Sequence, residues 1–145
     1  MKIGVYPGSF NDFHVGHYNI YEKASRIFDV VIVVKMQNPS KSDDDEVLRT
    51  PPQVRDIAYS KAILTDFLLR TSKEYNVKMS DITVIRGFRN IDDVKTQTVD
   101  DYWLHRINDN FNSIYIECDD KYKNISSSAI KTLEKLSQNF KYLTF

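Results

Sequence analysis

Five consecutive β-branched residues, Val30 to Val34 (VVIVV), constrain this chain more than any other feature. A run without polar alternation has no solvent-facing side, so it is read as a strand buried on both faces of a parallel sheet. A second apolar, β-prone stretch, Lys2–Tyr6 (KIGVY), lies upstream, and Pro7-Gly8 is expected to stop it. Between the two, from about Gly16, Ile20, Ala24, Ile27 and Phe28 recur at helical spacing, with Glu22, Lys23 and Arg26 facing out and Asp29 ending the helix. Strand, turn, helix and buried strand make one βαβ unit, whose crossover should be right-handed.

The alternation continues. Residues 36–49 (MQNPSKSDDDEVLR) read as a polar, acidic loop. Thr50-Pro51 fits an N-cap with proline at the first helical position, which predicts a helix through Val54, Ile57, Ala58 and Lys61. Ala62–Leu64 is expected as a short strand, Phe67–Tyr75 as a helix, and Ile82–Ile85 (ITVI) as a strand that RGFRN follows directly. Asp92–Asn108 has helical spacing through Val94, Val99, Tyr102, Trp103 and Ile107, and Ser113–Glu117 (SIYIE) is a further strand. KYKNISSSAIKTLEKL then reads as a loop feeding a helix, with Ser126 or Ser127 as N-cap. There is no internal repeat. A chain of 145 residues ordered in this way predicts a single α/β domain, residues 1–145, with a mostly parallel sheet flanked by helices.

Composition narrows the partners. The formal net charge is zero, so neither nucleic acid nor an anionic membrane is expected as a partner. Cys118 is the single cysteine, which excludes an internal disulfide and leans toward a reducing compartment. The first residues lack the apolar core of a secretion signal, and no stretch approaches the ~20 apolar residues of a membrane span. A cytoplasmic protein is expected.

In parallel α/β sheets the ligand lies beyond the carboxyl ends of the strands. Three chemically dense stretches fall there: GSFNDFHVGH after the first strand, RGFRN after ITVI, and KNISSSAIK after SIYIE. Gly8 and Gly16 let backbone N–H groups approach a ligand, and the helix that starts near Gly16 points its positive end at the same space. His14 and His17, one turn apart, can both face one phosphate, as neutral donors or as charged groups near the ordinary pKa of ~6.5. Without a local cysteine or carboxylate they do not suggest zinc, and no protein-held metal is expected. Arg86 and Arg89 flank a glycine and offer planar forks for phosphate oxygens, where the plain alternative is a pair of surface ion pairs. The serines of ISSS, with Lys131 one turn on, suit either an anion or an ordinary N-cap. Lys41 and the DDDE run read singly as solvated groups, although carboxylates could share magnesium. Taken together these residues describe a polyphosphate site with no obvious nucleophile–base pair. Chemistry there would rest on positioning and charge stabilisation, as in nucleotidyl or phosphoryl transfer.

These stretches carry a resemblance. YPGSFNDFHVGH resembles the HxGH signature of the nucleotidyltransferase superfamily, and ISSSAIK resembles its second signature, ISSxxxK/R. NPSK, VIRGFRN and KYKNISSS are similar to the phosphopantetheine adenylyltransferase family, in its order and over almost the whole chain. The resemblance implies a Rossmann-like fold, ATP and 4′-phosphopantetheine as substrates, dephospho-coenzyme A and pyrophosphate as products, and magnesium on the phosphates. It implies that Ser9 and Phe10 meet ATP, Ser9 also the acceptor, and that His17 stabilises the α-phosphate in the transition state. Lys41 and Arg86 would hold the acceptor phosphate, and Leu68 would line the pantetheine groove. Gly87, Phe88, Arg89, Tyr122, Lys123, Asn124, Ile125, Ser126, Ser127, Ser128 and Lys131 would contact the nucleotide. A homo-oligomer, a hexamer in that family, is implied as well. His14 stands where the family commonly has Thr, and DVKTQ stands for the family's DFEYE, which puts Gln97 in place of an ATP-contacting Glu. The alternatives are the same chemistry on nicotinamide mononucleotide, or on glycerol phosphate with CTP, and a nucleotide-binding protein without turnover.

Overall fold

A computed structural model of the protein describes residues 1–38, 40, 47–136 and 143–145. β1 (Ile3–Gly8) lies at the centre of the sheet and β2 (Val30–Met36) beside it, joined through α1 (Val15–Ser25). β3 (Asp56–Ser60) forms one edge; after α2 (Leu64–Tyr75) the chain crosses β1 to β4 (Ile82–Phe88), then through α3 (Ile91–Ile107) to β5 (Asn112–Glu117) at the other edge. α4 (Ser127–Lys135) follows, and the strand order is β3-β2-β1-β4-β5 with every pairing parallel. This is a Rossmann-like α/β sheet flanked by helices. None of the described helices is long and apolar enough to cross a membrane.

The apolar run of β2 is buried on both faces. Val31 and Val33 join a cluster with Ile20 and Ala24 of α1, Ile85 and Ile116, whereas Ile32 and Val34 join Leu64, Phe67 and Leu68 of α2, Ile3, Val5, Ile82 and Val84. Each such aliphatic side chain removed from water contributes about 1.5–3 kcal/mol, so this alternation fixes the strand between two helical layers. The sheet also contains its own opening. Pairing of β1 with β4 stops at Val5↔Val84, although β1 runs on to Gly8 and β4 to Phe88. The strands part at the point where strand order reverses, which is where such sheets hold ligands.

Several local expectations change. β1 continues through Pro7, which lies beyond the last β1–β4 pair, so its missing N–H costs no bond on that side. RGF belongs to β4 itself, and α1 ends at Ser25. There Asp29 accepts from the Lys2 backbone N–H at 2.7 Å and ties the helix exit to β1. The helix expected from Thr50 through Lys61 does not form. Thr50-Pro51 leads only into a turn, with the Val54 N–H donating to the Pro51 carbonyl at 3.0 Å, and residues 56–60 pair with β2 from Ile32↔Asp56 to Met36↔Ser60. An open edge on a buried strand outweighs a local capping signal. Ala62–Leu64, expected as a strand, is the entry to α2, which Ile63 caps without a side-chain bond. Of the two N-cap candidates for α4, Ser126 is the cap, accepting from the Ala129 N–H at 3.0 Å.

Candidate active site

The loop leaving β1 is folded around aromatic rings. Phe10 is buried and takes a left-handed backbone (φ 42°), rare for a side chain of its size. Edge-on contacts to Tyr6, Phe13 and His17, with centroids 5.3, 5.5 and 5.0 Å away, hold it there. This brings His14 to the N-cap of α1.

There the two histidines form a reciprocal cap. Nδ1 of His14 accepts from the N–H groups of Gly16 (3.1 Å) and His17 (3.3 Å), while Nδ1 of His17 accepts from the His14 N–H (3.1 Å). A nitrogen that accepts carries no proton, so each neutral ring bears its hydrogen on Nε2. The rings stack 3.7 Å apart, 17° from parallel. Burial, with the Arg89 charge second, pushes the His14 pKa down to about 4. Burial, then His14, then Arg89 holds His17 well below the ordinary histidine value, against the opposing Asp12 carbonyl. At neutral pH both are uncharged, each with its Nε2–H free of the cap. Gly16 is required by this packing: a Cβ there would come within 2.9 Å of the His14 Cε1 and 3.0 Å of its Nδ1.

The facing wall is charged. Arg86 donates from Nε to Asp101 Oδ1 at 3.1 Å and pairs with the same oxygen through Nη2 at 3.1 Å. The Tyr115 hydroxyl donates to Asp101 Oδ2. Arg89 forks onto Asp93, Nε to Oδ2 at 3.0 Å and Nη2 to Oδ1 at 3.1 Å, and its backbone N–H reaches Oδ2 at 2.9 Å. These bonds hold the Asp93 carboxyl below its usual range. Between them, Gln97 Nε2 donates to the Gly87 carbonyl at 2.8 Å. Gly87 is small for a reason, since a Cβ would lie 2.8 Å from Ile20 of α1.

The third wall is set by α1 from behind. Asn19, buried, donates to Asp119 Oδ2 at 3.0 Å and accepts the Asp119 N–H at 2.8 Å. Lys23 pairs with the same carboxylate at 2.8 Å, which fixes the turn that leads to Ser126.

A cavity of about 310 Å³ is enclosed by these walls, and a second of about 390 Å³ lies beside it. The first is lined by Gly8, Ser9, Phe10, His14, Gly16, His17, Arg86, Gly87, Phe88, Arg89, Gln97, Tyr122, Ile125, Ser126 and Ser127, so fifteen residues singled out in the sequence share one space. Pro7, Gly8, Ser9 and Arg86 line both cavities and form the boundary between them. The second is otherwise apolar apart from Asp100, with Met36, Leu64, Trp103, Leu104 and Ile107.

Other expected residues stand elsewhere. Lys123 Nζ is bonded to Glu117 at 2.6 Å and Asp120 at 2.9 Å. Asn124, Ser128 and Lys131 are exposed and line neither cavity. Leu68 is fully buried in the core, and Leu64, one turn earlier, is the α2 residue on the second cavity. Lys41 and the carboxylates of residues 43–46 lie outside the described residues. The sequence reading missed Tyr6, Ile20, Asp93 and Cys118 on the first cavity and Asp101 and Tyr115 behind Arg86. The spacing of Asp93, Gln97 and Asp101 along one helical face was the available signal. Burial raises the Cys118 thiol pKa, and its Sγ–H donates to the Asp119 carbonyl at 3.3 Å, so no thiolate is prepared there. The arrangement can bind phosphates and stabilise charge on them by neutral donors on one side and guanidiniums on the other.

Residues 5–133 match the cytidylyltransferase-like family model. The phosphopantetheine adenylyltransferase of Mycoplasma capricolum is 32% identical over 140 residues, covering 92% of this chain and 97% of that protein. The enzyme of the same name from Streptococcus pneumoniae is 28% identical over 145 residues, covering 95% and 86%. A solved structure described as a nicotinate-nucleotide adenylyltransferase, from Vibrio parahaemolyticus, superposes with a TM-score of 0.65 at 16% identity, covering 99% of this chain and 87% of that one; it shares the fold. The chain belongs to the cytidylyltransferase-like family and, within it, to the phosphopantetheine adenylyltransferases.

Proposed function

We propose that this member of the cytidylyltransferase-like family transfers the adenylyl group of ATP to 4′-phosphopantetheine, giving dephospho-coenzyme A and pyrophosphate. The observation that carries the reading is the boundary of Pro7, Gly8, Ser9 and Arg86 shared by a polar cavity and an apolar one. A nucleotide in the first and a phosphorylated, flexible arm in the second would bring two phosphates together at that boundary.

The acceptor phosphate oxygen attacks the α-phosphorus in line, a bond to pyrophosphate breaks, and no enzyme-bound intermediate forms. His17, and His14 beside it, direct neutral Nε2–H donors at the α-phosphate as charge builds on it. Arg86, together with Lys41, holds the acceptor phosphate; Ser9 stands between the two substrates. Arg89, Gly87, Phe88, Tyr122, Ile125, Ser126 and Ser127 serve the nucleotide from the cavity wall, and Lys123, Asn124, Ser128 and Lys131 from outside it. Met36, Leu64, Trp103 and Ile107 line the pantetheine arm, with Leu68 packed in the same core cluster as Leu64. Among the described residues no cluster of His, Cys, Asp or Glu is arranged to hold a metal, and Asp93 is occupied by Arg89. Magnesium is taken to be carried on the nucleotide's phosphates, where it would offset their negative charge. We place the reaction in the cytoplasm and assign residues 1–145 to one nucleotidyltransferase domain. The exposed Val99, Tyr102, Trp103 and Ile107 of α3 support assembly into a homo-oligomer.

Purified protein given magnesium, ATP or CTP and a panel of phosphorylated acceptors, with pyrophosphate release followed, tests the reading. Release with ATP and phosphopantetheine is expected. Release only with nicotinamide mononucleotide or with glycerol phosphate and CTP reassigns the acceptor, and binding without release sinks the enzymatic reading.

A further inference from the structure

The inner face of α3 carries Asp93, Gln97 and Asp101 at four-residue spacing, and each serves one position of the opposing segment. Asp93 takes Arg89, Gln97 takes the Gly87 carbonyl, and Asp101 takes Arg86. The order along the helix is the reverse of the order along the strand, so one helical face sets the whole segment. Two of these residues line the nucleotide cavity. Asp101 lines neither cavity, and neither does Tyr115, which bonds to its second oxygen. The Arg86–Asp101 pair is nearly dry, with side chains 14% and 8% exposed, and a pair withdrawn from water to that degree is held in one geometry by its bonds.

From this placement we propose that Asp101, backed by Tyr115, is a positioning residue for recognition of the acceptor's phosphate. It acts through Arg86. Oδ1 of Asp101 accepts from Nε and lies 3.1 Å from Nη2, which ties one edge of the guanidinium to α3 while Arg86 itself lines the boundary of the two cavities. Because Asp101 already offsets the positive charge, Arg86 contributes direction more than bulk attraction, and a phosphate is accepted only where it meets the fork. Tyr115 holds Asp101 by its second oxygen: without the hydroxyl, Oδ2 would lose that donor while remaining nearly buried. The proposal rests on Arg86 being the acceptor-phosphate residue, and the test separates the two.

Steady-state constants for ATP and phosphopantetheine are measured for Asp101→Asn, Tyr115→Phe, Arg86→Ala and the Asp101→Asn/Arg86→Ala double variant. Asp101→Asn should raise KM for phosphopantetheine about tenfold, the scale of a small misplacement of a positioning group, with KM for ATP changed less than about twofold. Tyr115→Phe should move the same constant in the same direction by less. In the Arg86→Ala background Asp101→Asn should add nothing further. If Arg86→Ala raises the acceptor KM but Asp101→Asn and Tyr115→Phe do not, or if Asp101→Asn weakens both substrates alike or adds its full effect to Arg86→Ala, the proposal is overturned alone. If Arg86→Ala leaves the acceptor KM unchanged, the reading of Arg86 falls and the proposal with it. Should Asp101→Asn fail to fold, Tyr115→Phe decides by the same criteria.

Discussion

The 8–17 loop meets the cleft with two uncharged imidazoles and the start of a helix, whereas the 86–89 segment meets it with two guanidiniums already bonded to carboxylates of α3. The first wall offers donors with no net charge, and burial keeps them so. The second offers full charges whose directions are fixed by partners. A phosphate that changes geometry during transfer gains most from donors that need not reorganise, while a phosphate that only has to be held gains from a directed charge. Under the proposed function, turnover falls to the first wall and binding to the second.

The comparison breaks most visibly at His17. His17→Ala should lower kcat by ~10²-fold or more, the cost of losing one transition-state donor, with smaller changes in KM. An intact kcat would make the first wall a scaffold. Gly16→Ala should follow at about tenfold in kcat/KM, because the added methyl group would lie 2.9 Å from the His14 ring and the stacked pair must shift. Wild-type kinetics in that variant would show that the ring positions are not critical. Gln97→Glu sharpens the second wall. A carboxylate cannot donate to the Gly87 carbonyl and adds negative charge beside Asp93, so KM for ATP should rise a few-fold; a fall would mean that position 97 meets the nucleotide directly.

The smallest effect is on stability. The folded-state pKa of His14, about 4, lies below the unfolded value of ~6.5, so the folded chain binds fewer protons between those values. The stability contribution is fully present above pH ~6.5 and is lost as pH falls toward about 4. Thermal unfolding should show Tm dropping by a few degrees across that window, and less in His14→Thr, which keeps a capping oxygen without a titrating ring.

What could be read in advance follows the reach of each interaction. The β1–α1–β2 unit draws on an unbroken apolar run and local helical spacing, so its residues announce it; two histidines one turn apart at a helix start were visible as well, but not that they cap the helix reciprocally. β3 was hidden because an edge strand borrows its stability from β2, while Thr50-Pro51 offered a local helix signal that the sheet overrode. Arg86 was visible, but Asp101 lies 15 residues away and Tyr115 29, and Asn19 meets Asp119 across 100 residues of chain. The four-residue spacing of Asp93, Gln97 and Asp101 marks a helical face but not the strand residues it meets, and no local pattern marks Tyr115 or Asn19. Leu64 and Leu68 share a helical face, and only packing decides which of them reaches a cavity.

The central claim is a single in-line transfer between two walls, with no residue of the chain taking the adenylyl group. The most direct measurement is the stereochemical course at phosphorus, followed with ATP made chiral at the α-phosphate by sulfur substitution and phosphopantetheine as acceptor. The account predicts inversion of configuration. Retention would require two displacements through an adenylylated side chain, and would contradict it.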